Sequence, residues 1–368
     1  MRPLIALAAV VAVGCSRRDA PPPATPDATT KAALAAPAKA DAAAAAPRPI
    51  AIAGKPPAGT PTPAAPALGP EGPSTVRSTH PDIFLRNLKA RRQALDARLK
   101  ARPDDRSVRP KLAAWHLDQM ALDGDLAHAV EAERLLNEAL ADDPDDTKLL
   151  RQRAGVRAHV HRFAEARADL EKVLKAKPDD VGTKRTLGWM LRNLGDWKAA
   201  EPLLAAGTAG TSFDDHGKRA MLHFLAGRVD EADLDLRRAH GAYTDVHPVP
   251  LAWIDLQRGH LRLRTGKWEE ARAFFKAAYD RLPQNYVVAE HLAEVEHLLG
   301  NHAESLRIYD EVVKATGLPE FIAARAGVLR DMGRAAEADA EIAKADARWK
   351  ALLAKYPEAL AAHAVAFW

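Results

Sequence analysis

The sequence has a single cysteine, Cys15, among its 368 residues. One cysteine excludes an internal disulfide framework and any metal site built from several cysteines. The motifs Cys-x-x-Cys-His, His-Glu-x-x-His and Gly-x-Ser-x-Gly are also missing, so haem attachment, zinc-protease chemistry and serine hydrolysis have no support. We therefore expect neither an enzyme nor a cofactor.

Excess charge of one sign is small, because 53 Lys and Arg residues stand against 49 Asp and Glu residues, a formal charge of +4. No block of Lys and Arg and no basic-aromatic patch accompanies this excess, so nucleic-acid binding is not predicted. The apolar content of 47% is ordinary for a soluble protein and is sufficient for a substantial core.

Long apolar runs are missing as well. Met1 and Arg2 precede an apolar stretch from Leu4 to Val13, which is too short to span a bilayer as a helix. A short positive end followed by a short apolar run is typical of a secretory signal peptide. We predict such a signal in residues 1–14.

The tetrapeptide from Ala12 to Cys15, Ala-Val-Gly-Cys, resembles the bacterial lipobox. The resemblance implies that Cys15 becomes the lipidated N-terminus, and the alternative is an ordinary signal peptide with a chance cysteine. Each buried lipid CH₂ contributes about 0.8 kcal/mol, so two or three chains would tether the protein without a transmembrane helix. Because Ser16 follows, the family pattern implies lipid anchoring in the bacterial cell envelope, at the outer membrane and facing the periplasm, if the cell has two membranes.

Residues 15–79 consist largely of Ala, Pro, Thr and Lys, with very few large apolar side chains. Such a segment cannot bury enough surface to offset its ordering entropy. We predict a disordered, lipid-anchored linker. In residues 80–102 apolar side chains recur every three or four positions, a pattern that predicts one amphipathic helix.

One turn pattern recurs seven times after this helix, at spacings of 32 to 39 residues. Each copy has a small residue five positions after its start and a large apolar residue four positions later. The copies begin at Ala127, His161, Gly195, Gly227, Gly266, Gly300 and Gly333. A period near 34 with two helices per unit predicts an α-solenoid.

These seven copies resemble tetratricopeptide repeats. The resemblance implies an all-α solenoid of about seven helix-turn-helix repeats in residues 107–356, within one domain, 80–368. Residues 80–102 and 358–368 are predicted capping helices. Residues 205–217 and 240–250 depart from the pattern and predict loops, which leaves open whether the middle repeats stack regularly.

In that family the first helix of each repeat lines a concave groove, and the resemblance carries this geometry to the present chain. The groove would run from basic through aromatic to acidic. The candidate groove residues are Lys148, Arg151, Arg185, Trp189, Arg192, Met221, Phe224, Trp253, Leu256, His260, Glu290, Glu294 and His297. Such a surface would hold an extended peptide or a helix with its acidic end toward the arginines. The alternative is a solvated charged face with its aromatic residues in the core.

Histidines offer one further candidate site. Glu294 and His297 have the Glu-x-x-His spacing of carboxylate-bridged iron sites, but such sites need a second copy, which the sequence lacks. We interpret this pair as a polar helix face and predict no metal.

The sequence thus predicts a non-enzymatic scaffold that binds a peptide or protein partner and is tethered to a membrane only through its lipid. The alternative is a regulator or assembly factor for cell-wall or outer-membrane machinery.

Overall fold

The computed structural model describes residues 68–206, 210–365 and 367–368. The predicted signal peptide, Cys15 and most of the predicted linker lie outside these residues. All regular secondary structure in the described part is helical. The helices are α1 Pro81–Ala101, α2 Val108–Asp123, α3 Ala127–Asp142, α4 Thr147–His159, α5 Phe163–Ala176, α6 Val181–Asn193, α7 Trp197–Ala205, α8 Phe213–Leu225, α9 Val229–Ala242, α10 Pro248–Arg264, α11 Trp268–Arg281, α12 Tyr286–Leu298, α13 His302–Thr316, α14 Pro319–Asp331, α15 Ala335–Lys355 and α16 Pro357–Ala364.

Seven antiparallel helix pairs follow one another along the chain, from α2–α3 to α14–α15. We call the first helix of each pair its A helix and the second its B helix. Helix α1 precedes the pairs and α16 follows them. The predicted α-solenoid of about seven repeats with a helix at each end is confirmed.

The recurring small residue lies where the A and B helices of a pair cross. Ala166 and Ala271 are fully buried there, and so are the large apolar residues four positions later, Leu170 and Phe275. The turn glycines have positive φ, for example 73° at Gly266, a conformation that glycine adopts without steric cost. The period in the sequence therefore reflects the spacing of helix crossings.

The middle of the solenoid is its least regular part. Helix α7 is short and makes few contacts with α8, whereas α5 packs closely along α6. Helix α8 begins at Phe213, inside the predicted loop 205–217. The reason is a capping box, in which the Ser212 side chain accepts from the Asp215 amide and the Asp215 carboxylate accepts from the Ser212 amide.

The two ends of the solenoid approach each other. Helix α2 packs against α12. Trp349 and Leu360, from the last two helices, form an apolar cluster with Leu126 from the first repeat. The rings of His161 and His363 also stack, with centroids 5.6 Å apart. The solenoid thus closes on itself, which covers apolar surface at both ends.

Residues 68–79, which we call the strap, lie across α9, α10 and α11. The Gly69 amide donates a hydrogen bond to the carbonyl of Arg237 at 2.9 Å. The sequence assigns these residues to the linker predicted at 15–79, but the structure places them against the helices. The rest of that prediction, residues 15–67, lies outside the described residues.

Two arginines hold the strap by its backbone. Arg258 is 1% exposed, and Arg281 donates to the carbonyls of Ser74 at 2.6 Å and Val76 at 2.7 Å. The acceptors of Arg258 in the strap are the carbonyl oxygens of Pro70, Glu71 and Gly72. Because these contacts use main-chain atoms, the strap needs no large apolar side chains of its own. No helix in the described residues has the length and hydropathy required to cross a membrane.

Candidate binding surface

Basic side chains lie on three successive A helices, α4, α6 and α8. Lys148 is exposed at the start of α4, and Arg151 follows it on the same helix. On α8, the pKa of Lys218 is lowered by burial and then by the positive charge of Arg185, with a smaller effect of Arg151. We call Lys148, Arg151, Arg185, Arg192 and Lys218 the basic surface.

Carboxylates neutralise part of this charge. Arg151 lies 3.2 Å from Asp180, and Arg185 lies 3.5 Å from Asp215. Arg185 is only 8% exposed, so its main role is to join α6 to α8. Lys148 and Arg151 remain accessible to an anionic partner.

Arg192 differs from the other arginines of the basic surface. Its guanidinium lies 5.5 Å from the ring of Trp189 and 5.0 Å from that of Trp197, within cation-π range. In the described part of the chain no carboxylate forms an ion pair with it, and its buried Nε has no hydrogen-bond partner. Burial lowers the pKa of Arg192. An aromatic-flanked guanidinium without a carboxylate partner is suited to bind an anion.

A second arginine-aromatic pair joins two successive A helices, α8 and α10. The guanidinium of Arg264, at the end of α10, lies 4.8 Å from the ring of Phe224 on α8. Trp197 is 52% exposed, an unusual state for tryptophan. The sequence analysis named Phe224 but missed Trp197, Lys218 and Arg264. Trp197 begins the B helix α7, and the sequence analysis considered only A helices as groove-lining.

The central groove candidates are buried. Exposed fractions are 7% for Met221 and His260, and 8% for Trp253 and Leu256. Leu256 belongs to one apolar cluster with Leu88 of α1. Met221 and Trp253 belong to a second apolar cluster, against which Trp189 and Phe224 pack. These central positions are therefore part of the core.

The acidic candidates lie on α12. His297 pairs with Asp331, its Nε2 lying 2.7 Å from a carboxylate oxygen. Glu290 and Glu294 both lie beside His291, and burial raises the pKa of Glu290. Glu294 and His297 thus have different partners and do not form a joint site.

Comparison with known proteins supports the repeat assignment. The tetratricopeptide repeat family model matches residues 160–215 and 256–317. No curated protein matches the chain.

Among solved structures, a human IFIT1 dimer with PPP-AAAA matches at 15% identity and a TM-score of 0.55, over 66% of this chain and 59% of that chain. The APC/C hetero-tetramer Cut9-Hcn1 matches at 13% identity and a TM-score of 0.51, over 70% of this chain and 49% of that one. The chain thus spans about half to three fifths of the length of these structures. At such identities the likeness concerns the fold alone. The described part of the chain is therefore an α-solenoid in which residues 160–215 and 256–317 match the tetratricopeptide repeat family.

Proposed function

We propose that this protein is an interaction scaffold whose basic surface binds an acidic segment of a partner protein. Tetratricopeptide repeats are generally scaffolds for protein binding and lack catalysis of their own. The observation that carries the proposal is Arg192, which lies near two tryptophan rings and has no carboxylate partner among the described residues. Arginine and tryptophan are the residues that most often dominate protein interfaces.

The arrangement of the basic surface restricts which kind of partner segment can bind. The basic side chains of α4, α6 and α8 follow successive A helices, so a bound segment would run across the repeats. An extended peptide or a helix with several Asp and Glu residues would place carboxylates near Lys148, Arg151 and Arg192. Exposed pairs of opposite charge contribute little each, so we expect the aromatic flanks of Arg192 to supply much of the affinity.

The tether is the second part of the proposal. Lipidation of Cys15 would anchor the scaffold in the cell envelope, and the sequence pattern favours the outer membrane facing the periplasm. The alternative process, regulation or assembly of cell-wall or outer-membrane machinery, would use the same tether. Mass spectrometry of the membrane-extracted protein tests the anchor: we expect a diacylated N-terminal cysteine, and an unmodified Cys15 after signal cleavage would contradict it.

Fluorescence anisotropy with a labelled acidic peptide tests the basic surface. A twelve-residue probe of alternating Glu and Ala should bind the wild type with an affinity that falls as salt rises. We expect Arg192→Gln to weaken binding at least tenfold. Arg167→Gln is the matched control, since Arg167 is an exposed arginine of the B helix α5 whose ion-pair partner among the described residues is Glu171. Equal affinities of the two variants would contradict the proposal.

A further inference from the structure

Three side chains on one stretch of α12 bring potential metal ligands together. His291 Nδ1 lies 3.1 Å from Oε2 of Glu290 and 3.1 Å from Oε2 of Glu294. All three donor atoms lie within 4.8 Å of one another. Ligands about 2.0–2.1 Å from a tetrahedral zinc ion are roughly 3.4 Å apart, so the two shorter separations already suit a shared ion.

The charges around these residues are not balanced by a fixed cation. In the described part of the chain, neither Glu290 nor Glu294 forms an ion pair with a lysine or arginine. Glu320 on the neighbouring helix α14 adds a further negative charge near Glu290. Two carboxylates that face one imidazole and have no lysine or arginine partner favour uptake of a positive ion.

His260 supplies an observation independent of α12. It lies on α10, in the preceding repeat, and is only 7% exposed. Its ring centroid is 4.2 Å from that of His291, and its buried Nε2 has no hydrogen-bond partner among the described residues. Burying an imidazole nitrogen without a hydrogen-bond partner costs folding free energy. A metal ion bound by the three α12 ligands would give this nitrogen a partner.

We propose that Glu290, His291 and Glu294 bind a divalent transition-metal ion, with His260 turning its free nitrogen to complete the coordination. Two imidazoles and two carboxylates favour zinc-class ions over magnesium or calcium, which prefer oxygen ligands throughout. Because the ion binds Nδ1 of a neutral imidazole, its uptake releases any proton on that nitrogen to solvent. Side-chain exposures of 21% for Glu290, 20% for His291 and 35% for Glu294 leave the site open to entry from solvent. The ion would join the repeats that contain α10 and α12.

Isothermal titration of the metal-free, untagged protein with ZnCl₂ tests this site. The wild type should bind one equivalent with a dissociation constant below about 10 µM. His291→Ala should remove that equivalent, and the isosteric variants Glu290→Gln and Glu294→Gln should each weaken binding at least tenfold. Loss of His260, as His260→Ala, should weaken binding at least tenfold, because it removes the fourth donor.

His297→Ala is the matched control, because His297 lies on the same helix but pairs with Asp331. It should bind zinc as the wild type does. Cobalt substitution adds a second readout: the wild type should show the intense visible absorption of a tetrahedral site, and His291→Ala should not. The proposal is overturned if the wild type binds zinc with a dissociation constant above about 10 µM or not at all. It is overturned equally if the Glu290→Gln and Glu294→Gln variants, folded by circular dichroism, retain wild-type affinity.

Discussion

The Arg258→Met variant should release the strap from the solenoid. Besides its three strap acceptors, the guanidinium of Arg258 donates to Asp233 at 2.8 Å and lies 4.5 Å from the ring of Phe274. Methionine keeps the apolar stem but leaves the strap carbonyls and the Asp233 carboxylate without this donor. Removing one partner of a buried ion pair typically costs about 3–5 kcal/mol.

The loss of stability has an upper limit. If the strap leaves the helices, its carbonyl oxygens bind water instead and no longer lie buried without a donor. We therefore expect the free energy of unfolding to fall by about 3–5 kcal/mol at most, mostly through local release. Hydrogen exchange followed by mass spectrometry measures this directly. Peptides that contain Gly69 and Thr79, whose amides donate to Arg237 and Val246, should lose protection, while α4 and α6 keep theirs.

Arg167→Met controls for the loss of an arginine. Its side chain is 45% exposed, so urea unfolding should shift by less than about 0.5 kcal/mol. The reasoning about the strap would be refuted by unchanged protection of residues 68–79 in Arg258→Met. A stability within 1 kcal/mol of the wild type, on its own, would instead indicate that strap release is energetically cheap (about 1 kcal/mol or less).

Two further predictions concern packing and pH. Gly259→Ala should lower the free energy of unfolding by about 1–3 kcal/mol in urea titrations, because an added Cβ would lie 2.4 Å from the Phe275 ring; an unchanged midpoint would contradict the close crossing. His116 should make the protein less stable as the pH falls. Burial, then the nearby charge of Arg92, lowers the pKa of His116 to about 4, so below its unfolded value of 6.5 the unfolded state binds more protons. Stability should fall between pH 6.5 and 4 by up to about 3 kcal/mol from this group. In His116→Gln the melting temperature should depend less on pH in that window, and an identical dependence would contradict the assignment.

The repeat frame could be predicted because it rests on local requirements. Ala166 must be small where two helices cross, and Gly266 must adopt positive φ at the turn, so both leave a periodic signature. Ser212 carried a signal too, since Ser-x-x-Asp is a capping box, but the surrounding Gly and Thr residues favoured a loop.

Contacts between distant segments left no such signature. The side chain of Arg281 reaches the carbonyl of Ser74 across 207 residues, and a main-chain acceptor has no sequence pattern. Leu256 was assigned to the groove from its place on an A helix, but it lies in a cluster with Leu88 because the solenoid curves back on itself. That curvature is the sum of small rotations between repeats, which one sequence does not specify.

The metal ligands proposed on α12 were missed for a related reason. The sequence analysis weighed Glu294 with His297 by a known spacing, whereas the structure brings Glu290 and Glu294 to His291. The free nitrogen of His260 comes from another repeat, 31 residues away along the chain. Only the packing of α10 near α12 reveals that approach.

Site-specific photo-crosslinking in cells tests the central claim, that the basic surface holds a protein partner. A photoreactive amino acid in place of Trp197 should give a discrete crosslinked product, and mass spectrometry should identify in it an acidic segment of one protein. The same amino acid in place of Lys172, exposed on the B helix α5, should not give this product. Adding Arg192→Glu to the first variant should abolish it. The account would be contradicted if both positions gave the same product, or if the product persisted in the Arg192→Glu background.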